Sequence, residues 1–218
     1  MNVLAIDTAG VDCSVAVYDS TRDLLLAKVQ ETLGKGHAER LSGMIAEVMD
    51  AAAVAPVDIG LIGVTIGPGS FTGIRVGVAA ARGLALALGI PAVGVTTLET
   101  LADAAMRTVG PEALIAAIDA KRGEIYMQPF DENGRAIAEP QARSLADAAE
   151  FAVSSKARIV GSGAAVLAHV SAEADHFDIE SVARLAARRP KGTGKPAPLY
   201  LRGPDAKPQM GFAIERRA

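Results

Sequence analysis

Apolar and polar positions change their period twice in the N-terminal half of the chain. Val3–Asp7, Cys13–Tyr18 and Leu24–Val29 are β-rich runs separated by short polar turns, a spacing that predicts an antiparallel meander. From His37 to Ala53 the apolar residues Leu41, Met44, Ile45, Val48 and Ala52 follow helical spacing, with Glu39, Arg40, Glu47 and Asp50 among the polar positions. Leu61–Ile66 then reads as a buried strand, Gly67-Pro68-Gly69 as a tight turn, Phe71–Leu88 as a long helix and Ala92–Thr96 as a further strand. That order predicts a β-helix-β unit with a parallel crossover.

The pattern then restarts. Ala5-Ile6-Asp7 and Ala117-Ile118-Asp119 are each followed twelve positions later by an aspartate, Asp19 and Asp131, so the offset is a constant 112 residues. Glu124–Phe130 matches Cys13–Tyr18, Asn133-Gly134 supplies a hairpin turn, and Ile159-Val160 running into Gly161-Ser162-Gly163 echoes Val64–Ile66 running into Gly67-Pro68-Gly69. A meander followed by alternating helix and strand, written twice, is the plan of the actin/Hsp70-like (ribonuclease H-like) duplicated α/β fold. The expected layout is a first subdomain at 1–105, a smaller second one at 106–189, and a Pro/Gly-rich basic tail at 190–218 that is disordered or packs back in part.

The helix at Phe71–Leu88 carries two stripes. Phe71, Ile74, Val78, Ala81, Ala85 and Leu88 step like a heptad seam, while Gly69, Gly73, Gly77, Ala81, Ala85 and Gly89 place a small residue at every fourth position. Such a helix can pack two neighbours at once. One is the sheet, and the other is either the His37–Ala53 helix alone or a bundle shared with a second subunit; the sequence leaves both open.

Charge and composition narrow the chemistry. A net charge of −3 with a pI near 5.7 is too acidic for a general grip on a phosphate backbone, although Arg184–Ala218 alone carries +7. That tail reads as a solvated end, with a tRNA contact as the other reading. One cysteine, Cys13, points to a buried thiol in a reducing cytoplasm. The N-terminus reads as a strand, not a signal peptide, and Arg75 and Arg82 interrupt the most apolar stretch, so no membrane span is expected. Gly67–Gly73 lacks the Lys-Ser/Thr ending of a P-loop, His37, His169 and His176 show no ligand spacing, and no Gly-x-Ser-x-Gly elbow surrounds Ser70. Asp7 and Asp119 end matching strands as turn residues; Asp7 and Thr8 with Gly161, Ser162 and Gly163 are the candidates for a residual nucleotide site.

One run is highly specific. Gly67-Pro68-Gly69-Ser70-Phe71-Thr72-Gly73-Ile74-Arg75, continued by Ile90-Pro91-Ala92-Val93-Gly94-Val95, resembles the TsaB (YeaZ) family. Asp7-Thr8, His37-Ala38-Glu39-Arg40-Leu41, Asp119–Tyr126 and Pro198-Leu199-Tyr200-Leu201-Arg202 are similar to its other landmarks. The resemblance implies a member of the assembly that makes N6-threonylcarbamoyladenosine at position 37 of tRNAs reading codons that begin with A. The catalytic paralogue of that family, TsaD, carries a metal-binding His-x-x-x-His just after the following strand. Here Thr97 and Leu101 stand in its place, and a hydroxyl and an isobutyl group cannot replace two imidazoles.

The resemblance therefore implies a non-catalytic subunit with no cofactor of its own, ATP and a metal ion belonging to its partners. Its partner surface would be His37, Leu41, Met44, Ile45 and Val48 from one helix, and Phe71, Thr72, Ile74, Arg75, Val78 and Arg82 from the other. Those helices would hold TsaD, or a second copy of the chain when TsaD is absent. The ATPase TsaE would join the pair, and tRNA would be met only within the complex. The other function class is enzymatic: a glycoprotease-like metallopeptidase of the M22 type, or a small actin-like ATPase.

Overall fold

The computed structural model describes residues 1–190 and 194–202. The basic tail of the sequence reading lies, at 191–193 and from 203 onward, outside the described residues. The meander forms as β1 (Asn2–Asp7), β2 (Asp12–Asp19) and β3 (Leu24–Thr32), followed by α1 (His37–Ala52), β4 (Ile59–Thr65), α2 (Phe71–Leu88), β5 (Ala92–Val95) and α3 (Thr97–Val109). The second half comprises β6 (Leu114–Lys121), β7 (Glu124–Phe130), β8 (Gln141–Ser144), α4 (Leu145–Ser155), β9 (Arg158–Val160), α5 (Ser162–Leu167) and α6 (Ile179–Arg188).

The first sheet has the order β3-β2-β1-β4-β5 and the second β8-β7-β6-β9, so the second repeats the first without its last strand. In each, the opening strand pairs antiparallel with its successor and parallel with the strand reached through a helix: β1 with β2 and β4, β6 with β7 and β9. This is the duplicated actin-like fold. The Asn133-Gly134 turn forms, closed by the Gly134 amide on the Asp131 carbonyl at 3.0 Å.

The first sheet is covered on both faces, and the alternation of its strands follows from that. Leu4 and Ile6 of β1 face the layer of α1 and α2, with Leu41, Met44, Val48, Ile74 and Val78. Val3 and Ala5, the alternate positions, face α6 through Ile179, Val182, Ala183 and Ala186. The sequence layout ends the second subdomain at 189, yet α6 lies on the first sheet: its one apolar stripe meets a sheet face that no nearer helix covers. Arg107 of α3 ties α6 in place through Glu180 at 3.0 Å and through Asp178. The core is continuous between the halves, because Leu98 and Ala102 of α3 join Leu114, Ala116 and Phe130 to the first layer.

Candidate docking face and cleft

The N-terminus of α2 is sewn to the β1–β2 turn. Ser70 caps the helix by accepting from the Gly73 amide at 3.2 Å, while its own amide donates to the Ala9 carbonyl at 2.7 Å. The Thr8 hydroxyl donates to the Gly73 carbonyl at 2.7 Å. A Cβ at Gly73 would collide with the Thr8 carbonyl oxygen, one at Gly77 with the Thr8 hydroxyl, and one at Gly69 with the Ala9 carbonyl. The small-residue stripe therefore seats the chain's own turn, and the backbone it admits is not a partner's.

The heptad seam likewise points inward. Leu41, Met44, Val48, Ile74 and Val78 are buried in the core, Ile45 is half-buried, and His37, also buried, donates from Nε2 to the Asp12 carbonyl at 3.1 Å. Of the residues expected at a partner surface, Phe71, Thr72, Arg75 and Arg82 stand exposed, with Phe71 at 55%. A third set, not singled out by sequence reasoning, faces outward. Ala79, Gly83, Leu86 and Ala87 run along the outer side of α2, where Leu86 is 84% exposed, and Ser42 and Ala46 lie on the outer side of α1. Its signal was the same small, apolar composition read on the opposite side of the helix. α2 is also long and apolar enough to cross a bilayer, but lays Ile74, Val78 and Ala81 on the sheet.

Beside the α2 N-terminus a cleft of about 1020 Å³ separates the turns of the two sheets, lined by Val11, Phe71, Ile74, Ile118, Lys121, Asp175 and Tyr200 among others. The residues proposed for a nucleotide are engaged within the chain. Asp7 is wholly buried and accepts from the Thr65 hydroxyl at 2.6 Å and the Ala9 amide at 3.0 Å, leaving Oδ2 without a partner. Burial outweighs those bonds and pushes its carboxyl up to about 6. Its counterpart Asp119 goes the other way: burial raises it, but Lys121, with Nζ at 2.6 Å, holds it below the usual carboxylate range.

The turn at Gly161-Ser162-Gly163 is filled by a carboxylate of the chain. Asp175 accepts from the Ser162 amide at 2.7 Å and from its hydroxyl, and the Ser162 hydroxyl oxygen accepts from the Asp119 amide at 2.8 Å. Desolvation raises the Asp175 carboxyl against those bonds. Next to it, His176 turns to the first half and meets Asp12 Oδ2 at 2.6 Å. At the two positions that the resemblance sets against a histidine pair, the buried Thr97 hydroxyl donates to the Pro68 carbonyl at 2.5 Å, and Leu101 packs toward Gly161.

Two aromatic residues and an arginine finish the rim. The Phe71 and Tyr200 rings lie 5.3 Å apart, the Arg75 guanidinium sits 3.8 Å above the Phe71 ring, and its Nε donates to the Tyr200 hydroxyl at 2.8 Å.

Known proteins place this geometry in context. Residues 29–186 match the profile of the family described as TsaD, tRNA N6-adenosine threonylcarbamoyltransferase. The tRNA threonylcarbamoyladenosine biosynthesis protein TsaB of Escherichia coli is 40% identical over 136 residues, which is 62% of this chain and 58% of that protein. The chain thus spans less than two thirds of the length of this curated relative. An uncharacterized Mycobacterium tuberculosis protein is 32% identical over 94% of both chains. The crystal structure of YeaZ from Pseudomonas aeruginosa superposes with a TM-score of 0.73 at 29% identity, over 92% of this chain and 99% of that one.

Proposed function

The chain belongs to the TsaB (YeaZ) family, and from that premise we propose that it serves threonylcarbamoyladenosine biosynthesis on tRNA as a non-catalytic subunit that holds TsaD. The observation that carries the docking part is the outward stripe of α1 and α2. Small residues at Ser42, Ala46, Ala79 and Gly83 let another helix approach closely, and Leu86 offers an apolar anchor at one end, Phe71 and Arg75 an aromatic-arginine anchor at the other. The non-catalytic part is supported by Thr97, whose hydroxyl is already engaged with the Pro68 carbonyl where a first metal ligand would be needed. In this reading the chain has no cofactor, pairs with itself through the same stripe when TsaD is absent, receives the ATPase TsaE on the TsaD-bound pair, and meets tRNA only inside that assembly.

Leu86→Glu tests it. The side chain is exposed, so the melting temperature should stay unchanged, whereas affinity for TsaD should fall by roughly 30-fold or more, the cost of burying a charge at an interface anchor. Full affinity in the folded variant would rule out the stripe as the docking face. Metal analysis and peptidase and ATPase assays on the purified chain test the enzymatic alternative, since a stoichiometric metal with turnover would replace the docking reading.

A further inference from the structure

The extended segment that follows α6 touches both halves of the molecule within four residues. On the first half, the Leu199 amide donates to the Ile66 carbonyl at 2.8 Å, just past the end of β4, and Tyr200 takes its place beside Phe71 and Arg75. On the second half, the Arg202 guanidinium grips the β6–β7 turn through the Glu124 carboxylate and the Ala120 and Lys121 carbonyls, the last two at 3.4 and 3.3 Å. Leu199 to Arg202 line the cleft between these two attachments. Leu201 packs on the edge of the apolar core, but the hold on the second half is the partly exposed ion pair of Arg202 with Glu124.

We propose that Leu199–Arg202 is an interdomain clamp that sets the width of the cleft, and that the N-terminal end of α2 controls it through the contact of Tyr200 with Phe71 and Arg75. A group that displaces Tyr200 from that rim must shift the segment carrying Arg202, two residues on, and so loosen its grip on the β6–β7 turn. Stiffening the rim does the reverse. This rests on the docking reading for its purpose, since it would let a partner seated on α2 be felt across the cleft; the clamp itself is a property of the free chain.

The test needs no partner. Spin labels at Arg22→Cys in the β2–β3 turn and Glu132→Cys in the turn after β7 report the separation of the halves; both positions are exposed and Cys13 is buried. The full chain should give one narrow distance. Arg202→Ala and Glu124→Ala should broaden and lengthen it, and Phe71→Ala and Arg75→Ala should do the same from the far side of Tyr200. Leu86→Ala, at the opposite end of the same helix, should leave it unchanged. Should Arg202→Ala unfold, Glu124→Gln removes only the charge of a partly exposed carboxylate and carries the same expectation. Unchanged distances in the folded Glu124 variants would overturn the clamp. A shift there without one in Phe71→Ala or Arg75→Ala would overturn the control by α2. Neither result touches the docking reading, which stands or falls on the affinity of Leu86→Glu.

Discussion

The turn from β4 into α2 and the turn from β9 into α5 occupy corresponding places in the two sheets, and their glycines are packed for the same reason. Gly73 leaves room for the Thr8 carbonyl, just past the end of β1, and Gly163 for Ala117 on β6. The helices they open differ: α2 runs 18 residues and α5 only 6. The first is capped by its own Ser70, while the second receives its cap from Asp175, on the linker that goes back to the first half. The first half thus presents a long outer face, and the second keeps the strand plan with a shorter helix whose first turn is held by a residue from outside it.

Ile74→Glu breaks the comparison most severely. It puts a charge into a position only 1% exposed, so a loss of more than about 4 kcal/mol and an unfolded chain are expected by thermal melting. Val153→Glu on the 80% exposed side of α4 should cost less than about 0.5 kcal/mol. Next come the matched aspartates, whose pH slopes should mirror one another. Asp7 titrates near 6 in the folded chain against 3.8 as its ordinary value, so the folded state holds its proton longer. Its contribution to stability is present below about pH 4 and is lost as pH rises through 6, by roughly 3 kcal/mol. Asp7→Asn should remove that loss, flattening denaturant midpoints between pH 4 and 7 relative to the parent chain. Asp119, held low by Lys121, contributes above its ordinary range and loses that as pH falls; because Lys121 is 76% exposed the effect of Asp119→Asn at pH 7 should stay under about 1 kcal/mol.

Between these in size, Gly73→Ala should cost about 3 kcal/mol, because the Thr8 backbone cannot move away without breaking the β1–β2 pairing. Asp175→Ala should cost about 1 kcal/mol and be felt mainly in the second half, as faster amide exchange at Ser162 and Asp119.

Much of this was legible from the order of residues. Period-2 and period-3.6 runs located β1 to β5, α1 and α2, and the offset of 112 residues located β6 and β7. Periodicity says that a face is apolar but not what covers it. Periodicity therefore left open what covers Leu41, Met44, Ile74 and Val78, and the resemblance assigned them to a partner surface, although they pack on the chain's own sheet. The stripe of Gly69, Gly73 and Gly77 announced a close backbone without saying whose, and that backbone is the β1–β2 turn, far away in sequence. α6 falls within the range read as the second subdomain, yet it packs on the first sheet, whose strands lie at the start of the chain. Tyr200 and Arg202 stood out only as part of a landmark run in a proline-rich tail, because their contacts depend on Phe71, Arg75 and Glu124 standing nearby in space.

Thr97 under the Pro68 carbonyl has a consequence for engineering. Grafting a histidine pair at 97 and 101 would force one imidazole into a filled, fully enclosed position and the other against the Gly161 turn. Such a graft should bind zinc no better than the parent chain, because the packing around Thr97 and Leu101 leaves no room for two imidazoles.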